Sequence, residues 1–311
     1  MRAHDFPRAW EINDRDLARR IAAGHPKHQG PRHLQHIWRG EPLADARVLV
    51  RCYHGLGDTL QFIRFAAPLR KIAREVIVWV QPELLPLVER VEGVDRALPL
   101  HDGAPDVDCD VDIEIMELAF ALRATRNMIA RVPYLAPACG ASRFRRTAGA
   151  GIHIGLVWRA GDWDQRRSID LRLFAPLAEA GVHWRLLQPL TNADAALPFA
   201  ANDLSCAEIP AVAAAISQLD LILTVDTMMA HLAGALALPT WNMLCRDCDW
   251  RWGEVETTPW YPTMRLFRQQ RAGDWTSVIS QVADALASFV RQRTQERLWR
   301  KEVLATKELT S

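Results

Sequence analysis

The stretch Leu221-Ile-Leu-Thr-Val-Asp-Thr-Met-Met-Ala-His-Leu-Ala-Gly-Ala-Leu-Ala-Leu-Pro239 constrains this chain more than any other. Leu221 to Val225 is a short, almost wholly apolar run, the pattern of a strand buried on both faces in a parallel sheet. Asp226 and Thr227 are N-cap residue types, Met228 to Leu236 reads as a helix, and Pro239 ends it. A buried strand feeding a capped helix aims unpaired backbone N–H groups at the carboxyl edge of the sheet. There the helix dipole and the donors both favour an anion such as phosphate. His231, one turn after Thr227, can face the same ligand. A core helix capped by Asp226 and Thr227, with His231 simply packed, fits the same spacing.

The rest of the chain alternates strand and helix patterns around this unit. Strands are expected from Arg47 to Tyr53, Val76 to Val80, Asp95 to Leu100 and Val111 to Ile115. Helical periodicity runs from Leu60 to Arg74 despite Pro68, and again from Glu83 to Glu89. Ala136 to Gly151 is rich in Ala, Gly, Pro and Arg without periodicity, and is the best linker. Alternation then restarts with strands at 152–158, 184–188, 221–225 and 239–244, and helices at 171–179, 209–218 and 228–236. Such alternation implies parallel sheets with helices on both faces. From alternation alone, one long α/β domain is the rival to two. Residues 1–44 are polar, with one helix expected at 14–23. The tail from Val278 reads as a helix carrying Arg291, Arg293, Arg297, Arg300 and Lys301. It is expected to pack back on the first domain as a solvated helix; contact with an anionic membrane is the other role open to a basic amphipathic end.

Net charge excludes one class of partner. Formal charge is only +1, which gives no field for nucleic acid. No apolar run reaches the roughly 18 residues of a spanning helix. Met1 to Pro7 lacks a signal-peptide core. The six cysteines lie scattered, as in a reducing cytoplasm rather than a disulfide framework. The expectation is a cytoplasmic protein with at most peripheral membrane contact. Cys245-Arg-Asp-Cys248 has the spacing of half a zinc site but no second half, so no metal is expected.

Further segments carry chemistry. His54-Gly-Leu-Gly-Asp-Thr59 lies between a strand and a helix; Gly55 and Gly57 permit a tight turn and close approach of a substrate. Asp58 would sit at the helix start, either as an N-cap or as a carboxylate facing the cleft. Val157-Trp-Arg-Ala-Gly-Asp-Trp-Asp-Gln-Arg-Arg-Ser168 follows a strand and offers Arg159, Arg166 and Arg167, suited to a diphosphate. Gln188 ends another strand, and Cys206, Ala207 and Glu208 lie near the same edge. The Trp-rich segments Asp249-Trp-Arg-Trp252 and Trp260 to Gln269 suit sugar stacking or core packing.

Val-Asp-Thr-x-x-Ala-His-Leu-Ala-Gly-Ala-Leu-x-x-Pro resembles the C-terminal signature of family 9 glycosyltransferases, the group containing the ADP-heptose transferases of lipopolysaccharide assembly. Gly-Leu-Gly-Asp-Thr-Leu-Gln-Phe-x-Arg, beginning at Gly55, resembles the N-terminal motif of that family, and Arg167-Ser168-Ile169 matches the end of its middle motif. Asp-Trp-Arg-Trp, then Pro-Trp-Tyr-Pro-x-Met-Arg-Leu-Phe-Arg-Gln, resembles the tetratricopeptide-linked branch, as does Pro133-Tyr-Leu135. No helical repeat is legible in residues 1–44.

The resemblance spans about residues 36 to 285 and implies a GT-B architecture: two Rossmann-like domains facing each other across a cleft. On that division an acceptor-side domain covers 1–145 and a nucleotide-sugar domain 146–285, with a basic helix over 286–311. The implied activity is metal-independent, inverting glycosyl transfer with no cofactor. The donor would be a nucleotide sugar, ADP-heptose first, and the acceptor a glycan, a lipid-linked core sugar or a protein hydroxyl. Asp58 would be the general base. Arg167, Ser168, Gln188, Asp226, Thr227, Met228, Met229 and His231 would hold the donor, while Gly55, Gly57, Thr59, Gln61 and Glu117 would line the acceptor side, a solvated strand edge being the stronger reading for Glu117. Arg64 is expected to be structural. The sequence departs from the family at Arg159-Ala160, where relatives carry Ser or Ala after the Trp, and around Glu117-Leu118-Ala119. A binding module without transfer activity, a partner subunit of another transferase, or a hydrolase or epimerase using His54 and Glu117, are the alternatives.

Overall fold

The computed structural model describes residues 3–24, 37–137, 151–162, 164–178 and 181–309, the side chains of 298 and 300–309 excepted. The expected linker over 136–151 lies almost wholly outside these residues, as do the tail side chains of Leu298, Arg300 and Lys301. In chain order the first unit comprises α1 (Phe6–Ala22), β1 (Arg47–Arg51), α2 (Leu56–Phe62), α3 (Ala66–Arg70), β2 (Glu75–Val80), α4 (Leu85–Val88), β3 (Arg96–Pro99), β4 (Val111–Glu114), α5 (Leu118–Ala121) and α6 (Arg126–Ile129). The second comprises β5 (Ile152–Leu156), β6 (Val182–Leu186), β7 (Ala201–Asp203), α7 (Ile209–Ile216), β8 (Leu221–Val225), α8 (Met228–Ala235), β9 (Thr240–Leu244), β10 (Met264–Arg268) and α9 (Trp275–Leu309).

Each unit holds one sheet. The first has order β3-β2-β1-β4 and the second β10-β9-β8-β5-β6-β7. Every named strand pair is parallel. The apolar runs explain the interior strands. Val48, Leu49 and Val50 of β1, and all of β8, are buried, as both-face burial in a parallel sheet requires. In both sheets the central strands, β1 and β8, deliver their C-terminal ends to a helix start, α2 and α8. This is the edge at which doubly wound sheets bind ligands.

Several elements differ from expectation for physical reasons. The helix expected from Leu60 begins at Leu56 and passes through a 3₁₀ turn at Ile63–Phe65 before α3, in which Pro68 lies. Residues 171–177 form a 3₁₀ helix rather than an α-helix, with Pro176 inside it denying the backbone a donor. α1 starts at Phe6, not near 14, because Asp5 caps it by accepting from the Arg8 N–H at 3.2 Å and Pro7 sits in its first turn. β7 and β10, at the two sheet edges, were not expected.

The tail helix is a correction. α9 lies against the 3₁₀ helix at 171–177 and β10, burying Val278, Ile279, Val282 and Leu286. Farther along, Phe289 meets Trp241 and Arg297 reaches Asp220 at 3.3 Å. It therefore packs on the second unit, not the first, because its apolar residues face the flank of that sheet.

The two units are tied together by buried polar contacts. Arg64 donates to the Trp260 carbonyl (2.8 Å), to the Ile129 carbonyl and to the Tyr134 hydroxyl (2.8 Å), and its guanidinium lies 4.8 Å from the Tyr261 ring. Tyr134 and Leu135 donate their backbone N–H groups to Ala235 at the end of α8. α1 spans the junction as well: Phe6 meets Trp260 edge-on while Trp10 packs on Phe120. No described helix is long and apolar enough to cross a membrane.

Candidate active site

α2 and α8 pack against each other with their N-termini opening on one cleft of about 930 Å³. Gly57 makes that approach possible. A Cβ on it would come within 2.7 Å of His231 Cδ2 and 3.5 Å of the Met228 Cα. One wall carries His54, Gly55, Gly57 and Asp58 from the β1–α2 junction. The facing wall carries the loop after β5, Gln188, and the Asp226-Thr227 turn.

Asp58 is the third residue of α2. Its Oδ2 accepts from the Gly55 N–H at 3.1 Å, and its Oδ1 is ion-paired with Arg251 from the other unit. Arg251 stands in a 3₁₀ turn, Trp250–Trp252, capped by the Asp249 side chain, and also pairs with Asp249 at 2.8 Å. Behind Asp58, Glu114 is buried at the end of β4, with His54 Nε2 3.4 Å from its Oε2. Burial pushes the Glu114 carboxyl well above the usual range; the Met116 N–H pulls it back, and the Glu117 and Asp58 charges push it further up.

On the second unit, Thr227 caps α8 by accepting from the Met229 N–H at 3.2 Å. Arg167 braces this turn, donating to the Asp226 carbonyl at 2.9 Å and lying 3.6 Å from its carboxylate. Burial raises the Asp226 carboxyl, and Arg167 opposes the rise. Gln188 Oε1 accepts from the backbone of Trp158 (2.9 Å) and Arg159 (3.0 Å), fixing the loop after β5. Asp194 holds the same loop through Arg159 (2.6 Å) and the Trp158 indole (2.9 Å). Burial alone would raise the Asp194 carboxyl, but these donors and Thr191 bring it to about 2.

His231 is buried, stacked on Trp252 at 5.2 Å and paired through Nδ1 with the Tyr261 hydroxyl at 2.9 Å. Burial drives its imidazole well below the ordinary value, and Arg251, Arg64 and Arg167 add to the shift. It is therefore a neutral wall of the cleft rather than a cation.

Of the residues expected from sequence, Gly55, Gly57, Asp58, Arg167, Gln188, Asp226, Thr227, Met228, Met229 and His231 meet at this cleft. Four do not line it. Ser168 turns back to accept the Ala160 N–H at 3.0 Å, closing the loop. Thr59 is buried and donates to Gln81 Oε1 at 2.9 Å. Gln61 is buried inside α2 with both side-chain polar atoms unpartnered. Glu117 faces the N-terminal extension, accepting from the Trp38 N–H (3.3 Å) and pairing with Arg20 (3.4 Å). Sequence reasoning missed Arg251, Asp164 and Asp247 as individual cleft residues. Asp249-Trp-Arg-Trp252 stood out only as a Trp-rich segment. Cys248 also lines the cleft and accepts from Arg268; among the described residues no group of His, Cys, Asp and Glu has the arrangement of a metal site.

No protein-family model matches the chain. Its fold is similar to the family 9 glycosyl transferase from Veillonella parvula, with TM-score 0.57 and 13% identity over 81% of this chain and 99% of that one. It is also similar to the E. coli ADP-heptose LPS heptosyltransferase II, with TM-score 0.54 and 14% identity over 80% and 99%. The dodecameric iron-containing heptosyltransferase TibC, solved in complex with ADP-D-β-D-heptose, gives TM-score 0.51 and 15% identity over 76% and 67%. The architecture is thus α/β with two parallel sheets, of the GT-B kind seen in heptosyltransferases. In sequence, protein FlbA of Caulobacter vibrioides is 25% identical over 292 residues, covering 81% of this chain and 48% of FlbA. The chain spans about half the length of this curated relative.

Proposed function

We propose that this protein is a glycosyltransferase of the family 9 kind, related to its tetratricopeptide-linked branch, that moves a sugar from a nucleoside-diphosphate donor to a hydroxyl acceptor. The observation that carries this reading is the meeting of two helix N-termini at one cleft. Asp58 stands on one wall, and Thr227, Arg166 and Arg167 stand on the other. ADP-heptose is the first candidate donor, since heptosyltransferase II is an ADP-heptose LPS heptosyltransferase and TibC was solved in complex with ADP-D-β-D-heptose. A glycan, a lipid-linked core sugar or a protein side chain is the acceptor.

In this mechanism the acceptor oxygen attacks the anomeric carbon and its proton passes to the Asp58 carboxylate. The bond from the anomeric carbon to the diphosphate oxygen breaks, and the nucleoside diphosphate leaves with the electron pair. Arg166, Arg167, the Thr227 turn and the α8 dipole stabilise the charge that develops on it. Arginine forks and backbone amides supply this stabilisation without a metal.

A second reading, a sugar-nucleotide-binding module without turnover, draws on one observation: both Asp58 oxygens are already engaged, by Arg251 and the Gly55 N–H. The experiment is calorimetric titration with ADP, UDP, GDP and dTDP without added metal, followed by transfer assays with the nucleotide sugar of the tightest binder. Selective binding weakened by Thr227→Ala, with turnover lost in Asp58→Asn, supports the transferase. Binding without turnover in wild type supports the module. Absence of binding to all four removes both.

A further inference from the structure

Asp58 and Asp249 hold one guanidinium between the two units. Arg251 Nη2 pairs with Asp58 Oδ1 of the first unit, while Nη1 pairs with Asp249 Oδ2 of the second at 2.8 Å. The other cleft arginines pair within the second unit: Arg159 with Asp194, Arg166 with Asp164, and Arg167 with Asp226 and Asp164. Arg251 is nine-tenths buried, its cation rests 5.3 Å from the Trp250 ring and 5.6 Å from the Phe62 ring, and its Nε is buried without a hydrogen-bond partner.

We infer that Arg251 exchanges partners during the reaction, leaving Asp58 for the donor's diphosphate and so freeing Asp58 to accept the acceptor's proton. This rests on the glycosyltransferase reading above. Both Asp58 oxygens are already engaged, one by the Arg251 guanidinium and the other by the Gly55 N–H, so an acceptor hydroxyl has to compete with Arg251 for Oδ1. A diphosphate carries more charge than one carboxylate and matches the guanidinium fork. Asp249 gives Arg251 a fixed anchor at Nη1, so the exchange needs only its Nη2 end to swing. The unpartnered Nε is a second donor for an incoming oxygen. Buried donors are rarely left unmet, and this one belongs to a residue that lines the cleft an anion would fill. The consequence is order: the base becomes available only after the donor is seated. No bond is made or broken in the exchange itself.

A double-mutant cycle on the full chain tests this, read by calorimetry with whichever of ADP, UDP, GDP and dTDP binds wild type most tightly. Asp58→Asn is expected to tighten binding about tenfold, because Arg251 no longer has a carboxylate to leave, and Arg251→Gln to weaken it about ten- to hundredfold. In the Arg251→Gln background, Asp58→Asn is expected to change affinity by less than about twofold. Equal tightening by Asp58→Asn in both backgrounds would mean plain charge repulsion and overturn the inference. So would weakening by Asp58→Asn. If Arg251→Gln does not fold, Arg251→Lys replaces it in the cycle, with the coupling reduced but present. Failure of all four nucleotides to bind wild type is a different result: it removes the glycosyltransferase reading, and this inference with it.

Discussion

Gly57 of α2 and His231 of α8 meet so closely across the two units that the glycine has no room for a Cβ, the nearest ring atom lying 2.7 Å from where it would stand. His231 cannot swing aside, because Trp252 stacks on it and Tyr261 holds its Nδ1. Gly57→Ala therefore has to push α2 and α8 apart. The expected cost is about 1–3 kcal/mol, the usual penalty for overpacking a rigid contact. Urea denaturation measures it, and nucleotide affinity should fall in parallel because the same junction floors the cleft. An unchanged midpoint would mean that the two units do not meet in this way.

Much of this junction was legible in the sequence, and the reason is local. Leu221 to Val225 forms β8 with the expected bounds because an apolar run that short has few other uses. Thr227 caps α8 because its hydroxyl reaches an amide two residues on. The partner of Asp58 was not legible: Arg251 lies 193 residues away, and only the approach of the two units brings it there. β10 was read as a Trp-rich segment because Met264-Arg-Leu-Phe-Arg268 is an edge strand whose Arg265 is exposed, leaving a weak apolar signal. Glu117 was read as facing the acceptor because nothing near it in sequence shows that Trp38 and Arg20 occupy it.

Tyr261→Phe removes a buried hydroxyl shared between His231 and Tyr134. The hydroxyl pairs with His231 Nδ1 at 2.9 Å, and both residues are buried. Removing it leaves a buried ring nitrogen without that partner, which costs about 1–3 kcal/mol. Thermal unfolding should show a drop of several degrees. Gly234, where a Cβ would lie 2.3 Å from the Tyr261 ring, makes a second test: Gly234→Ala should be at least as damaging. A Tyr261→Phe variant as stable as wild type would show that His231 finds another partner at no cost.

Glu114 predicts a pH dependence whose sign is fixed by its burial. Its carboxyl is held well above the ordinary value by desolvation, so the folded chain binds a proton that the unfolded chain has released. That contribution to stability is complete below the unfolded value and is lost as pH rises through the folded one. Glu114→Gln keeps the shape and an acceptor for the Met116 N–H without a charge to bury. Relative to wild type, its unfolding midpoint should therefore gain as pH is raised from about 4.5 toward 8. A gap that narrows with rising pH would show that Glu114 stays ionised in the folded protein, with His54 as its partner.

Arg167→Gln should separate binding from stability at the second helix terminus. Arg167 Nη1 braces the Asp226 carbonyl at 2.9 Å and lies 3.6 Å from a carboxylate that is itself buried. Without it, Asp226 is left in a dry site with weaker compensation, and breaking a buried pair from one side costs about 3–5 kcal/mol in strong cases. Burial already raises the Asp226 carboxyl, and losing Arg167 removes the opposing charge, so the folded value rises further. Stability then falls more as pH increases: the deficit against wild type should be greater at about pH 8 than at about pH 5, because proton uptake by Asp226 at lower pH lessens its need for the guanidinium. Nucleoside-diphosphate affinity should drop about ten- to hundredfold at either pH, since the lost fork is one of the donors proposed for the diphosphate. A variant that loses stability in this pH-dependent way but binds nucleotide as wild type does would confine Arg167 to holding the Asp226-Thr227 turn and leave Arg166 and the α8 amides as the anion site.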